Sequence, residues 1–278
     1  MFERIAIVGV GLIGGSLGLA IKRRLPGCRV LGIGRDPARL AIARKIGAVD
    51  ATEPFDGTGI RSCDLVILAT PVEHILDTLE TVGQILAPGA VVTDAGSTKR
   101  SICRKAWDRL PDSVEFIGGH PVAGREVTGI EHSLPDLFEG AAYVLCPPAS
   151  RKSGNLEKMR AFVEAISSCP VVMSPEEHDL AIAWVSHLPQ LLSTALANVT
   201  RGKGTEISGS GLRDMLRLSG SSYSVWKGIF ESNADNIDAA LAAFLRHLEK
   251  VREDLRGGDL SAEFAEAIRS YPDLKQMR

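Results

Sequence analysis

The segment Gly9-Val10-Gly11-Leu12-Ile13-Gly14 decides how this chain folds. It follows an apolar run at residues 4–8, typical of a buried strand, and it opens a stretch with helical spacing. In that setting the first glycine permits a tight turn, the second admits a pyrophosphate close to the backbone, and the third allows close helix packing. Free N–H groups at the helix N-terminus, where Leu12 and Ile13 lie, favour phosphate. The motif therefore predicts a dinucleotide site at Gly9, Gly11, Leu12, Ile13 and Gly14.

Short β-branched runs alternate with helical or turn-rich stretches through the first 173 residues. The predicted strands are residues 4–8, 29–33, 65–69, 90–94, 115–118, 143–146 and 171–173, and predicted helices include 37–46, 74–86 and 155–167. This alternation is typical of β-α-β units, and fully apolar strands indicate helices on both faces of the sheet. Residues 1–173 are therefore predicted to form a doubly wound α/β domain with a parallel sheet.

The hydrophobic period changes at Ser174, and no strand is predicted beyond it. Ser174-Pro175-Glu176-Glu177 is a capping box with proline at the first helical position, so a long helix is expected from there towards Val199. A short helix is predicted at 261–270. Between them, a stripe with helical spacing serves either the monomer core or a dimer interface: Ile237, Leu241, Phe244, Leu248, Val251 and Leu255. Residues 174–278 are predicted to be an all-helical domain.

Composition excludes several classes of function. Of 278 residues 45% are hydrophobic, which is too apolar for a disordered chain, and 32 Lys and Arg against 34 Asp and Glu give no field that attracts nucleic acid. The five scattered cysteines form no C-x-x-C pair, and no His, Cys or carboxylate cluster has metal-ligand spacing. Glycines interrupt the uncharged run at 5–21. We therefore expect a cytoplasmic protein with no metal, membrane or nucleic-acid partner.

The end of the second predicted strand bears on the choice of dinucleotide. NAD enzymes usually have an acidic side chain there for the ribose hydroxyls, whereas this chain has Gly34, Arg35 and Asp36. Because the glycine removes a repelling carboxylate and a guanidinium can pair with a 2′-phosphate, we favour NADP over NAD. Asp36 keeps NAD open, since a small register shift would place its carboxylate on the ribose. Thr70 and Pro71, at a later strand end, are expected over the nucleotide.

Two strand ends carry polar groups suited to chemistry, since open α/β sheets bind ligands beyond the carboxyl ends of their strands. Ser97 follows the strand at 90–94, and His120 lies on a glycine-flanked segment after the next strand. Histidine titrates near neutral pH, so His120 is the candidate base that removes a hydroxyl proton while hydride leaves the same carbon. Ser97 would orient that hydroxyl. The alternative for both residues is a loop side chain that caps backbone groups.

The helical half offers further candidates. His187, on the apolar face of the long helix, is either a satisfied core residue or a functional one, and His178 beside Asp179 is interpreted as structural. Arg213 and Arg217 form either an ion-paired helix face or the cationic feature that a carboxylated substrate needs, because arginine binds a carboxylate bidentately.

Six segments in order resemble one known family. They are Gly9-Val-Gly-Leu-Ile-Gly-Gly-Ser16, Asp94-Ala-Gly-Ser-Thr-Lys99, His120-Pro-Val-Ala-Gly-Arg-Glu126, Ser186-His-Leu-Pro-Gln190, Arg213-Asp-Met-Leu-Arg217 and Trp226-Lys-Gly-Ile229 through Asn233. Together they are similar to the prephenate and arogenate dehydrogenase family of tyrosine biosynthesis. The resemblance implies an α/β Rossmann domain followed by an all-α dimerisation domain like the C-terminal domain of 6-phosphogluconate dehydrogenase, and hence a homodimer.

The resemblance also implies a reaction: oxidative decarboxylation of prephenate, arogenate or both, with hydride transfer to NAD(P). On that basis His120 accepts the ring-hydroxyl proton, Ser97 hydrogen-bonds to it, and His187 and Arg217 hold the substrate, Arg217 through a carboxylate. Glu126 matches an acid near the entrance to the active site, and Trp226 a tryptophan at the substrate pocket. Three departures bear on cofactor and substrate choice: Leu216 stands where a threonine is often found, Arg125 adds a cation, and Gly34-Arg35 replaces the usual acid.

Two other functions remain open on the sequence. A 3-hydroxyacid dehydrogenase or an imine reductase also joins a Rossmann domain to a helical one, but uses a lysine or a different acid where this chain offers His187. A non-catalytic dinucleotide sensor would bind NADP through the same loop, with no need of His120, Ser97 and Arg217 together.

Overall fold

The computed structural model describes residues 1–55, 59–149 and 154–276. Six of the described strands form one sheet: β1 (Arg4–Val8), β2 (Arg29–Gly34), β3 (Ala51–Pro54), β4 (Leu65–Leu68), β5 (Val91–Asp94) and β6 (Glu115–Phe116). All five pairings are parallel, in the order β3-β2-β1-β4-β5-β6. The strand order reverses at β1 and β4, which places the ligand crevice beyond their carboxyl ends.

Five helices cover this sheet: α1 (Leu12–Arg24), α2 (Pro37–Lys45), α3 (Val72–Ile85), α4 (Arg100–Arg109) and α5 (Leu156–Ala165). Ile5 and Ile7 of β1 belong to one apolar cluster with residues of α1 and α5. Ala6 and Val8 point the other way, into a second cluster with residues of α3 and α4. Alternate residues of one strand thus reach both layers, and the predicted doubly wound parallel sheet is confirmed.

Three later strands form a separate sheet, which corrects the sequence analysis. They are β7 (Gly118–Pro121), β8 (Ala142–Cys146) and β9 (Cys169–Val172), with β7 antiparallel to β8 and β8 parallel to β9. The predictions that residues 143–146 and 171–173 join the parallel sheet, and that the strand before His120 ends at residue 118, are therefore wrong. His120 lies within a strand, opposite Val144.

Close packing explains why the glycines before His120 belong to a strand. A Cβ on Gly118 would lie 2.5 Å from the Cys103 sulfur, and a Cβ on Gly119 would lie 2.4 Å from the Asp94 carbonyl oxygen. Both positions require glycine because neighbouring groups lie close to the backbone. In the sequence, two adjacent glycines of this kind look the same as glycines in a loop. The edge strand β3 was not predicted, because its Ala-Thr-Glu-Pro sequence has no apolar run.

The second half is helical in the residues that the structure describes. It contains α6 (Pro175–Ile182), a π-helical turn (Ala183–His187), α7 (Leu188–Thr200), α8 (Ser210–Leu216), α9 (Tyr223–Ser232), α10 (Ala234–Gly257) and α11 (Ser261–Gln276). The predicted capping box is confirmed: Ser174 Oγ accepts from the Glu177 N–H at 3.2 Å, and the Glu177 carboxylate accepts from the Ser174 N–H at 2.8 Å. The α10 helix ends at Gly257 and is capped by Gly258, whose φ of +83° suits glycine.

The continuous helix Pro175–Thr200 is long and apolar enough, by length and composition alone, to cross a membrane. It nevertheless holds buried polar side chains at His178, Asp179, His187 and Gln190. Two of them, His178 and Asp179, hydrogen-bond to residues of the first half, so this helix connects the two halves at the functional site.

Candidate active site

The dinucleotide cleft lies beyond the carboxyl ends of β1, β2 and β4. Its volume is about 540 Å³, and residues of the glycine loop, Arg35, Asp36, Thr70 and Pro71 line it. Gly9 has a φ of +96°, and a Cβ there would lie 2.7 Å from Thr70 Cγ2. A Cβ on Gly14 would lie 2.0 Å from the Gly9 carbonyl oxygen, whereas a Cβ on Gly11 meets no atom of the described residues within 4 Å. The first and third glycines thus allow tight packing, and the second leaves open space for a ligand.

The α1 helix begins at Leu12, followed by Ile13, with Gly11 as its N-cap. No side chain caps these first N–H groups. They are therefore available to phosphate oxygens, and the positive end of the helix dipole favours those oxygens. The open space at Gly11 together with these donors fits a dinucleotide pyrophosphate.

Arg35 and Asp36 have different local environments at the end of β2. The Asp36 carboxylate caps α2: its Oδ1 accepts from the Ala38 N–H at 2.9 Å and from the Arg39 N–H at 3.3 Å. Arg35 Nη2 lies 3.5 Å from His74 Nε2 across the cleft. The guanidinium therefore faces the nucleotide space with a second basic side chain, while the carboxylate is engaged with its own helix.

His120 is the terminal member of a buried hydrogen-bonded chain. Its Nδ1 lies 2.8 Å from His178 Nε2, and His178 Nδ1 lies 2.8 Å from Asp179 Oδ1. Asp179 also accepts from the Lys99 N–H at 2.7 Å and from the Arg100 N–H at 2.9 Å. Because a carboxylate only accepts, the network assigns a proton to His178 Nδ1, an acceptor role to His178 Nε2, and a proton to His120 Nδ1. His120 Nε2 therefore keeps its lone pair, as a general base requires.

The pKa values of the chain support this assignment. Burial lowers the pKa of His120 well below its usual range, with further lowering by His178, Lys99 and His187. Burial also lowers the pKa of His178, against the opposing effect of Asp179. For Asp179, burial raises the pKa, but hydrogen bonds from His178 and from the two backbone N–H groups outweigh it, so the pKa is lowered. At neutral pH both imidazoles are neutral and the carboxylate is charged.

A buried ion pair fixes the strand ends next to His120. The Lys99 ammonium, with no exposed side-chain area, binds the Asp94 carboxylate at the end of β5. Asp94 also accepts from the Gly119 N–H at 3.0 Å, one residue before His120. Breaking a buried pair of this kind costs about 3–5 kcal/mol, because it leaves one charge uncompensated. The ion pair therefore fixes the loop that follows β5 relative to β7, the strand that carries His120. Ser97 lies half-buried within that loop.

The two helical-domain aromatics of the predicted site lie together. His187 closes the π-helical turn, and its ring meets that of Trp226 edge to face at 5.9 Å. Trp226 also stacks on Phe230 at 5.4 Å. Burial lowers the pKa of His187 to about 4, so its imidazole is neutral at physiological pH. Its Nε2 is buried without a hydrogen-bond partner among the residues described.

Charged side chains from both domains meet at the outer part of the site. Arg217, which follows α8, forms an ion pair with Glu126, which follows β7. The Arg217 side chain is 66% exposed, so its guanidinium can exchange this partner for another carboxylate. Arg213 is exposed one turn earlier on α8. The structure thus brings Glu126 and Arg217 together across the domain junction.

Sequence reasoning missed three residues of this site. His178 was interpreted as structural, but it hydrogen-bonds directly to His120. Asp179, which orients His178, and Asn233, which lies against His187, were given no role. The adjacent pair His178-Asp179 in the first turn of a capped helix was the available signal, since an acid beside a histidine commonly fixes its tautomer.

Fold and site together define a class, the dinucleotide-dependent oxidoreductases with a Rossmann domain and a helical domain. Residues 17–172 match the family described as "Prephenate dehydrogenase, nucleotide-binding domain", and residues 174–270 match "Prephenate dehydrogenase, dimerization domain". The chain belongs to the prephenate dehydrogenase family, which confirms the resemblance drawn from the six segments.

Individual relatives agree with this assignment. Prephenate dehydrogenase of Bacillus subtilis is 33% identical over 259 residues, covering 91% of this chain and 70% of that protein. The structure of prephenate dehydrogenase from A. aeolicus in complex with hydroxyphenyl propionate and NAD+ has a TM-score of 0.90 and 27% identity, with 99% of each chain covered. Arogenate dehydrogenase of Synechocystis has a TM-score of 0.83 and 28% identity, covering 99% of this chain and 100% of that one.

Proposed function

We propose that this protein catalyses the oxidative decarboxylation of prephenate, with arogenate as the alternative substrate, and that it prefers NADP to NAD. The observation that carries the reaction is the chain Asp179–His178–His120, which leaves an unprotonated nitrogen at the domain junction. The relatives support the substrate class, since their names cover both prephenate and arogenate dehydrogenases.

In this mechanism His120 Nε2 takes the proton of the ring hydroxyl, and Ser97 hydrogen-bonds to the same group. Loss of that proton increases the electron density on the carbon that gives up hydride. The bound dinucleotide supplies the hydride acceptor at its nicotinamide ring. The bond between the ring and its carboxylate then breaks, CO2 leaves, and its electron pair completes an aromatic ring. Aromatisation makes the step effectively irreversible.

Substrate binding is assigned to the helical domain. Arg217 would take a substrate carboxylate in place of Glu126, His187 would donate to a substrate oxygen, and Trp226 would form one wall of the pocket. Arg213 is proposed to add positive potential near the entrance. These groups would orient a dicarboxylate with its ring hydroxyl towards His120.

The NADP preference rests on the end of β2. Gly34 presents no carboxylate, Asp36 is engaged in capping α2, and Arg35 and His74 both line the cleft. Arg35 and His74, beside an Asp36 that is engaged with its own helix, suit a 2′-phosphate better than ribose hydroxyls.

A homodimer is part of the proposal. The helices α10 and α11 expose large apolar side chains at Leu245, Leu248, Leu255, Phe264 and Ile268. A second copy of the chain would cover them, as the matched dimerization domain suggests. Light scattering at micromolar concentration should give twice the chain mass, and a monomer would contradict this part of the proposal.

The first experiment is a rate measurement with prephenate and arogenate, each with NADP and with NAD, followed by the absorbance of the reduced nicotinamide. We expect turnover with NADP, fastest with prephenate, and none in His120→Asn, which should still bind NADP. Binding of NADP without turnover of either substrate would refute the proposed reaction and favour another hydroxyacid or imine substrate, or a sensor.

A further inference from the structure

We propose that Asn233 is a positioning residue that holds His187 in the tautomer with its proton on Nε2, so that His187 donates a hydrogen bond to an oxygen of the substrate. The inference deepens the proposed function and rests on it for the identity of the substrate. It arises from the contacts around one fully buried amide at the start of α10.

The orientation of the Asn233 amide is determined by its neighbours. Its Oδ1 accepts from Arg100 Nη2 at 3.1 Å and from Asn236 Nδ2 at 2.8 Å. Both of those groups are donors, so the atom that faces them is the oxygen. The nitrogen therefore points to the opposite side, where it donates to the Asp179 carbonyl oxygen at 2.8 Å.

The remaining contact of that nitrogen fixes the imidazole. Asn233 Nδ2 lies 3.3 Å from His187 Nδ1. Since Nδ2 is a donor without lone pairs for hydrogen bonding, His187 Nδ1 must be the acceptor. A neutral imidazole with an acceptor Nδ1 carries its proton on Nε2.

The protonated nitrogen has no partner among the residues described, although it is buried. A buried polar group without a hydrogen-bond partner destabilises the site, because it has lost its contact with water. A substrate oxygen that accepts from Nε2 would remove that destabilisation, whereas a substrate group that only donates would not. Asn233 thus selects which kind of substrate atom can bind against His187.

Burial keeps the His187 imidazole neutral, so it donates a hydrogen bond only from Nε2. The ionisable groups that act on His187 are Asp179, which favours the charged imidazole, and His178, which disfavours it. Arg100 contacts the far side of the Asn233 amide rather than His187. Replacement of the amide by a carboxylate would reverse the hydrogen bond and stabilise a proton on Nδ1.

The tautomer of His187 can be measured directly by long-range nitrogen–proton NMR of the full chain labelled with 15N-histidine. Comparison with His187→Gln assigns the signals. In the wild type we expect a protonated Nε2 and an unprotonated Nδ1, both unchanged between about pH 6 and about pH 8. In Asn233→Asp we expect a proton on Nδ1. The matched control Asn236→Ala removes a neighbouring bond of the same amide and should keep the wild-type signals.

Kinetics then connect the tautomer to the substrate. With prephenate and NADP, Asn233→Ala should raise KM about tenfold and lower kcat less, as expected for one lost hydrogen bond. A protonated Nδ1 in the wild type, or unchanged signals in Asn233→Asp, would overturn the inference. If the wild type turns over neither prephenate nor arogenate, the proposed function fails, while the nitrogen signals still decide the role of Asn233.

Discussion

His120 and His178 approach each other at 2.8 Å, Nδ1 to Nε2, with their rings at 72° and each contributed by a different domain. The contact places the proposed base on the strand β7 and the residue that orients it on the helix α6. In serine proteases an acid holds the catalytic imidazole directly, whereas here a second imidazole lies between the acid and the base.

The intermediate imidazole should be needed for the rate and not for cofactor binding. His178→Phe removes the acceptor for His120 Nδ1, so His120 loses its fixed tautomer. We expect kcat to fall about a hundredfold or more, with the NADP dissociation constant unchanged. Steady-state kinetics and a binding titration check this, with the exposed His132→Asn as control. A near wild-type kcat in His178→Phe would mean that His120 needs no such partner.

The pH profile should reflect the lowered pKa of His120. Its neutral form is the active base, so kcat/KM should be flat at neutral pH and fall as the pH drops through the pKa. Because burial and neighbouring groups lower that pKa, the acid limb should lie below the usual histidine value of about 6.5. Initial rates at saturating NADP across the acid range measure it, and an acid limb at or above that value would contradict the assignment.

Cofactor choice should depend on Arg35. Arg35→Ala removes the guanidinium proposed to bind the 2′-phosphate, so KM for NADP should rise at least about tenfold. NAD lacks that phosphate, so its KM should change little, which makes it the internal control. Equal losses with the two cofactors would show that Arg35 supports the cleft without selecting between them.

The glycine loop allows a matched pair of variants. Gly14→Ala places a Cβ 2.0 Å from the Gly9 carbonyl oxygen, and we expect a loss of about 1–3 kcal/mol in the free energy of unfolding. In Gly11→Ala the new Cβ meets nothing within 4 Å in the part of the chain that the structure describes, so the free energy of unfolding should stay within about 0.5 kcal/mol of the wild type. Dinucleotide binding should nevertheless weaken at least tenfold in Gly11→Ala. Thermal melts and NADP titrations distinguish the two, and an unaffected affinity in Gly11→Ala would exclude a close pyrophosphate.

Arg217 should contribute to binding more than to chemistry. Loss of a carboxylate contact of about 2–5 kcal/mol in Arg217→Ala should raise KM for prephenate at least about thirtyfold, with a smaller drop in kcat. Arg246→Ala, an exposed arginine on α10, controls for the loss of charge. A fall in kcat with KM unchanged would instead assign Arg217 to the transition state.

Local sequence patterns predicted much of the fold, but they did not predict the contacts between the side chains of the site. The glycine motif, the apolar strands and the capping box at Ser174 act over a few residues, so the sequence reveals them directly. The His120–His178 contact joins positions 58 apart, and the Asn233–His187 contact joins positions 46 apart. No spacing rule links such residues, because their proximity depends on tertiary packing, between the domains for the first contact and within the helical domain for the second. Gly118 and Gly119 were misread for the same reason: what they accommodate is Cys103 and Asp94 from elsewhere in the chain.

The Asp179 carboxylate connects the two domains in a further way. It accepts the first backbone N–H groups of α4 in the dinucleotide domain, and it also orients His178 in the helical domain. A hinge motion that separates α4 from α6 would break the bonds from Asp179 to the α4 backbone, whereas the Asp179–His178 bond lies within α6 and would move with it. His120, the proposed base, lies in the dinucleotide domain, whereas His178 and Asp179, which align it, lie in the helical domain, so the proposed site needs both domains in contact.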